Sequence, residues 1–382
     1  MNANLLYWVW LTKAYGPANP AKWNAISQYG SPKELYMRVS NPDSFYNSIP
    51  DFRKIARVSL RHAEEIIEVC NENGIKICCY DDADYPELLR EIYNPPSVLF
   101  VKGDLSCLKD KLAIACVGTK SPSIYSEKVS ARIISGLVEN NTVIVSGFAR
   151  GLDSLSNKVS LAKGGKTIVV LPCGILHDFN PDDAETRQNI ERNGAVISEF
   201  LPLDGPTATN YRARNRVLSG IAHGTLILQA GARSGALSTA SYATTQGRDL
   251  FCLPPHELYN AEYSGVEQLI RDGATCVFNS SDILEQYFSS FTSIPTYNEP
   301  IMYNTESENN AKIKKIDFFS YTGDTRKLVE FIADSNSVLY DEILDKFDFD
   351  DEILQDMLTE LELDGTVKPL PGNRFTINVT EG

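Results

Sequence analysis

Between Leu112 and Ala240 the apolar positions come in short continuous runs rather than in alternation. The runs at Ala113 to Val117, Thr142 to Val145 and Leu226 to Leu228 are apolar or β-branched on both faces. Strands covered on both sides of a parallel sheet must be so. Each run closes in a glycine-containing turn: Gly118-Thr119-Lys120-Ser121, Ser146-Gly147-Phe148-Ala149-Arg150-Gly151, and Gly231-Ala232-Arg233-Ser234-Gly235. Helical spacing follows each turn, so the repeating unit reads strand, turn, helix. Strands are predicted near Ala113, Val143, Thr167, Val196, Thr225 and Asp249, with helices over 124–140, 152–163, 182–193, 212–222, 235–247 and 265–271. Two further runs, Ile75 to Tyr80 and Ser97 to Val101, extend the sheet at one edge. The fold class is α/β, doubly wound.

The flanks keep a different rhythm. Residues 1–73 repeat apolar positions at helical spacing, broken at Gly16-Pro17, Gly30-Ser31-Pro32 and Asn41-Pro42, and read as a helical domain. Such a bundle serves either as a clamp on a DNA backbone or as a docking unit. The core runs over 74–290, and a polar stretch over 291–324 reads as a linker. In residues 325–382, three helical patterns precede two short strand-like runs turned at Pro371-Gly372-Asn373, the order of a winged helix.

Charge alters the picture of the tail. The net charge is −14, and residues 325–382 carry 14 acidic against 5 basic side chains, so −9 lies there and the core is near neutral. The third helix of the tail, Asp350 to Asp364, holds seven acids and no basic residue. It would repel phosphate, so a protein-contact role is favoured. The eight cysteines show no CxxC pair and the four histidines are scattered. They predict reduced thiols in a cytoplasmic protein and no metal or other cofactor. The apolar opening Leu5 to Leu11 is short, without a basic flank, and reads as a buried helix; no run predicts a membrane span.

Three turns on one rim, each offering amide N–H groups at a helix start and a cation (Lys120, Arg150, Arg233), predict an anion seat. The bland alternative is that these glycines only let helices pack closely on strands. No P-loop, complete dinucleotide fingerprint, nucleophile elbow or metal-spaced His/Glu pair is present. Arg212-Ala213-Arg214-Asn215-Arg216 is the densest basic cluster, with no acid from Tyr211 to His223. It suits forked contacts to phosphate. Alternatively, Arg214 is a buried structural arginine paired with Glu199.

The order of motifs resembles the DprA/Smf family of bacterial DNA-processing proteins. The matching residues are Gly118-Thr119-Lys120, Val145 to Asp153, Gly165 to Leu171, Ile197-Ser198-Glu199, Arg214 to Gly220, Ser234 to Ala240, Gly247-Arg248 and Leu269-Ile270-x-x-Gly273-Ala274. The resemblance implies an extended Rossmann-like core between an N-terminal helical (SAM-like) domain and a C-terminal winged helix. It implies a homodimer formed through the core, without enzymatic activity, that protects single-stranded DNA and loads the RecA recombinase during natural transformation. On that reading Gly118, Thr119, Lys120, Ser121, Ser146, Gly147, Arg150 and Gly151 grip phosphates. Arg212, Arg214, Asn215 and Arg216 line the pocket with Ser234 and Gly235. Phe179, near the family's aromatic position, either stacks on a base or packs in its loop.

This chain departs from the family's pattern at several points. Lys120 replaces an arginine, Ser156-Asn157 an Ala-His, and Leu228-Gln229-Ala230 a Val-Glu-Ala, while Asp182-Asp183 stand where a basic residue is expected. These changes predict a less positive groove and altered DNA binding in a diverged member. A reading from another class is an enzyme or sensor holding a nucleotide-derived small molecule in the same pocket. Glu199 and Asp153 are its candidate carboxylates. In a third reading the protein is chiefly an interaction module acting through its acidic tail.

Overall fold

The computed structural model describes residues 4–41, 52–291, 321, 323–335, 337–347, 349–364, 366–370 and 373–377. Most of the expected linker (292–320 and 322) lies outside the described residues, as do Pro42 and Pro371-Gly372. The chain forms two compact units, Met1–Tyr297 and Asn298–Gly382.

The first unit opens with helices α1 (Leu5–Tyr15), α2 (Ala21–Tyr29), α3 (Pro32–Ser40), α4 (Phe52–Ile55) and α5 (Leu60–Glu72). Gly16 and Gly30 end α1 and α2 at positive φ, and Ser31 starts α3 through a capping box with Glu34. Next come β1 (Lys76–Cys79), α6 (Glu87–Arg90) and β2 (Val98–Gly103). The repeating part then runs β3 (Ala113–Val117), α7 (Ile124–Glu139), β4 (Val143–Ser146), α8 (Leu152–Ala162), β5 (Thr167–Val170), α9 (Ala184–Asn193) and β6 (Ala195–Ser198). It continues through α10 (Ala208–Gly220), β7 (Gly224–Ile227), α11 (Ala236–Thr245), β8 (Asp249–Cys252), α12 (Ser264–Arg271), β9 (Thr275–Cys276) and α13 (Ser281–Leu284).

These strands form one sheet in the order β1-β2-β6-β5-β4-β3-β7-β8-β9. Strands β3 to β9 are parallel, and the edge pair β1-β2 joins β6 antiparallel. Successive crossovers place β4, β5 and β6 on one side of β3, and β7, β8 and β9 on the other. The chain therefore changes direction across the sheet between β3 and β7, where open α/β sheets place their ligands.

Alternate residues of each strand feed opposite layers. Ala113, Ala115 and Val117 meet Val217 and Leu218 of α10 and Ala236 and Ala240 of α11. Ile114 and Cys116 meet Ile133, Ile134 and Leu137 of α7. Where the sheet passes into β2, its second face carries the N-terminal helices: Trp8, Trp10 and Leu11 share a core with Phe100, Val169 and Val196. The helical segment is thus built onto the sheet.

The second unit holds α14 (Gly323–Asp334), β10 (Val338–Leu339), α15 (Tyr340–Lys346), α16 (Asp351–Leu363), β11 (Val367–Leu370) and β12 (Arg374–Ile377). Its antiparallel sheet has the order β10-β12-β11 and covers Leu328, Ile332, Leu354, Leu358 and Phe375. This is a winged helix. On α16 the described side chains of Asp351, Asp356, Glu360 and Glu362 are exposed.

Candidate functional site

A cavity of about 850 Å³ opens where the sheet changes direction. One wall is the turn after β3 (Gly118 to Ser121), another the turn after β7 (Gly231 to Gly235), and α10 supplies Tyr211, Arg214, Asn215 and Leu218.

Hydrogen bonds fix both turns. The Thr119 N–H donates to the Gln229 carbonyl at 2.9 Å, and the Leu152 N–H donates to the Thr119 carbonyl at 3.2 Å. The Gln229 side-chain carbonyl accepts from the Ser123 N–H at 3.0 Å, which ties the two turns together. Gly151 has φ +81°, and a Cβ there would lie 2.4 Å from the Thr119 carbonyl oxygen. Only glycine suits that conformation and that approach.

The floor is charged but internally matched. Arg214 is 4% exposed and donates to the carbonyls of Gly147 (2.8 Å) and Val170, and through Nε to Asn215 Oδ1 (3.1 Å). Asn215 Nδ2 reaches Ser238 Oγ at 2.6 Å, so α10 and the start of α11 are locked to each other. Asp153 lies beneath, accepting from the Gly118 N–H at 3.2 Å. Burial pushes its carboxyl up to about 6, against the pull of Arg214 and of the Gly118, Ala149 and Gly147 amides. A Cβ on Gly147 would sit 2.3 Å from Arg214 Nη1, so this arrangement requires glycine there.

Asp153 makes the stability of the first unit fall as pH rises. Its folded value lies above the ordinary one, so the folded state holds the proton more tightly. Stability from this group is complete below about pH 4 and lost by about pH 6. Asp153→Asn should remove that dependence, read as the difference in urea midpoint between pH 4 and pH 6.5.

The lip carries the accessible cations. Lys120 and Arg233 are exposed and line the cavity, with Lys120 Nζ 5.7 Å from the Tyr211 ring centre. Ser121 and Gly235 lie exposed beside them and Ser234 is half-buried. Arg150 is on the same rim but paired with Asp182 at 2.6 Å, both about seven-tenths exposed. Such a solvated pair is worth at most about 1 kcal/mol, so a phosphate can displace it. Asp183 pairs with Lys158 at 2.5 Å.

Several expected contacts are placed elsewhere. Arg216 is buried in an ion pair with Glu199 instead of lining the cavity. Arg214 is buried as the structural alternative has it, yet its carboxylate neighbour is Asp153, not Glu199. The Ser146 hydroxyl is buried and donates to the Cys116 carbonyl at 2.8 Å, so it offers nothing to the rim. Arg212 is exposed on α10, outside the cavity wall. Phe179 is half-buried against the N-terminal core, with its ring centre 6.2 Å from Tyr211. Tyr211 itself escaped the sequence reading. Its position three residues before Arg214 puts it on the same helix face, and that spacing was the available signal.

Among the described residues no cluster of His, Cys, Asp and Glu is arranged to hold a metal ion, and no helix is long and apolar enough to cross a membrane.

Comparison with known proteins fits this geometry. The family model for DNA recombination-mediator protein A matches residues 76–288. DNA processing protein DprA of Bacillus subtilis is 32% identical over 221 residues, 58% of this chain and 74% of its own length. Protein Smf of Escherichia coli is 32% identical over 294 residues, 76% of this chain and 75% of that protein. The structure of DNA processing protein A from Streptococcus pneumoniae has a TM-score of 0.63 at 28% identity, covering 74% of this chain and 97% of that one. A structure describing the single-stranded DNA binding mode of the Helicobacter pylori protein has a TM-score of 0.51 at 28% identity, covering 56% and 97%. The chain with this cavity at its sheet reversal belongs to the DNA recombination-mediator protein A family, the DprA/Smf proteins of DNA processing.

Proposed function

We propose that the protein binds single-stranded DNA at the rim between β3 and β7 and passes the strand to a RecA-type recombinase. The observation that carries this reading is the pair of exposed cations, Lys120 and Arg233, set on hydrogen-bonded turns at the mouth of one cavity. A buried arginine locked to two carbonyls cannot swing out to a strand. Affinity therefore rests on the lip, and Arg214 holds the lip's shape. The binding mode described for the H. pylori relative supports the same ligand class.

The test is an anisotropy titration with labelled poly-dT at low salt. The logarithm of affinity should fall with the logarithm of salt at a slope of about 0.7 per phosphate neutralised. Lys120→Ala and Arg233→Ala should each weaken binding about five- to tenfold and shallow that slope by about 0.7. Asp182→Asn should tighten binding by releasing Arg150. A titration that stays flat to tens of micromolar sinks the proposal.

The acidic α16 belongs to the partner side of this proposal. Like charges keep it from phosphate, so it contacts protein. Removing residues 325–382 should leave DNA affinity intact or raised while abolishing capture of the partner. Loss of DNA binding on that deletion would refute the charge argument.

A further inference from the structure

The segment between β8 and α12 lends Ala261 and Glu262 to the cavity lining and carries an aromatic side chain the fold does not use. Tyr259 is 93% exposed, and its backbone sits at φ +67°, a left-handed conformation that aromatic residues rarely adopt. Burial gives that ring nothing, and a glycine would suit the backbone better. Even so, the segment around it is built to hold it in place. The Tyr259 N–H donates to Glu267 Oε1 at 3.3 Å, and Asn260 Nδ2 donates to Glu257 Oε2 at 3.2 Å. Asn260 Oδ1 accepts from the Glu262 N–H at 3.0 Å.

The base of this loop is fastened to both cation-bearing turns. Tyr263 is fully buried, and its hydroxyl lies 2.6 Å from Ser123 Oγ and 2.8 Å from Ser126 Oγ at the start of α7. Gln229 Nε2 donates to Glu262 Oε2 at 3.3 Å, and the Ala232 N–H donates to Ser264 Oγ at 3.0 Å. Ala261 and Glu262, immediately beyond the tip, line the cavity.

We infer that Tyr259 is a stacking platform for one base of a strand leaving the cavity, an inference that rests on the proposed single-stranded DNA function. Rings of this kind stack on any base, because every base offers a π-face. Charge decides which part of a nucleotide the loop meets. Glu257 and Glu262 flank the tip and disfavour phosphate, whereas Lys120 and Arg233 on the two turns attract it. The backbone therefore follows the cationic turns and a base faces Tyr259. The neighbouring Leu258, 67% exposed, extends the apolar surface of the tip.

The experiment uses the full chain, labelled poly-dT and an abasic strand with the same number of phosphates. Tyr259→Ala should weaken poly-dT binding about 5- to 20-fold. Tyr259→Phe should bind within about twofold of the parent, since stacking needs the ring and not the hydroxyl. On the abasic strand all three proteins should bind alike. Tyr259→Gly separates fold from function: the backbone relaxes, so its melting temperature should equal or exceed the parent's while its poly-dT affinity falls. Equal affinity of parent and Tyr259→Ala for poly-dT, with Lys120→Ala still impaired, overturns the inference and leaves the functional proposal standing. A parent chain that binds neither strand overturns both.

Discussion

Replacing Glu199 by alanine should lower the unfolding free energy of the first unit by about 3–5 kcal/mol, the usual cost of stranding one member of a buried ion pair. The side chain of Glu199 is 2% exposed and that of its partner Arg216 is 8% exposed. Without the carboxylate, a guanidinium stays in the interior with Lys22 nearby and no countercharge. The pair is joined by one arm only, because Glu199 Oε1 and Arg216 Nη1 are both buried without a hydrogen-bond partner. For that reason the double substitution Glu199→Leu with Arg216→Met should recover most of the loss. All three tryptophans, Trp8, Trp10 and Trp23, lie in the first unit, so their fluorescence during urea unfolding reports this unit alone. A loss below about 1 kcal/mol for the single variant would mean that solvent reaches the pair.

That ion pair also marks where the sequence was legible and where it was not. Strands β3 to β8 fall at the predicted runs because a strand covered on both faces has a continuous apolar signature, and hydrophobic contrast is local. The winged helix was legible for the same reason, as was the placement of β1 and β2 at one edge. The partners of charged side chains were not local. Arg214 and Arg216 are two residues apart on α10, yet one reaches the turn after β4 and the end of β5 while the other reaches Glu199. No periodicity assigns which guanidinium meets which acid 17 residues upstream. Asp182 looked like a loss of positive charge in the groove. In three dimensions it engages Arg150, a solvated contact that only masks the charge.

Changing Lys22 to methionine should raise stability at neutral pH, by a margin that narrows as the pH rises. Lys22 is the second residue of α2, fully buried, and its ammonium donates to the Pro17 carbonyl. Burial lowers its pKa to about 7, with the Glu199 carboxylate pulling it up and Arg216 pushing it further down. In the unfolded chain the same amine titrates near 10.5. Between these values the unfolded state holds a proton that the folded state has released, so stability climbs with pH. The gain from pH 7 to about 8.5 is about 1.5 kcal/mol. From about pH 8 the thiols oppose it. Burial pushes Cys70, Cys78 and Cys252 up to about 12, so the unfolded chain sheds those protons first. The thiols are common to parent and variant, so the difference between their urea midpoints isolates the lysine from pH 7 to about 8.5. Methionine fills a similar volume without a charge to dehydrate, so the variant's urea midpoint should exceed the parent's at pH 7, and the difference should shrink towards pH 8.5. A difference between variant and parent that stays constant from pH 7 to about 8.5 would show Lys22 to be charged in the folded protein, with Glu199 shared between two cations.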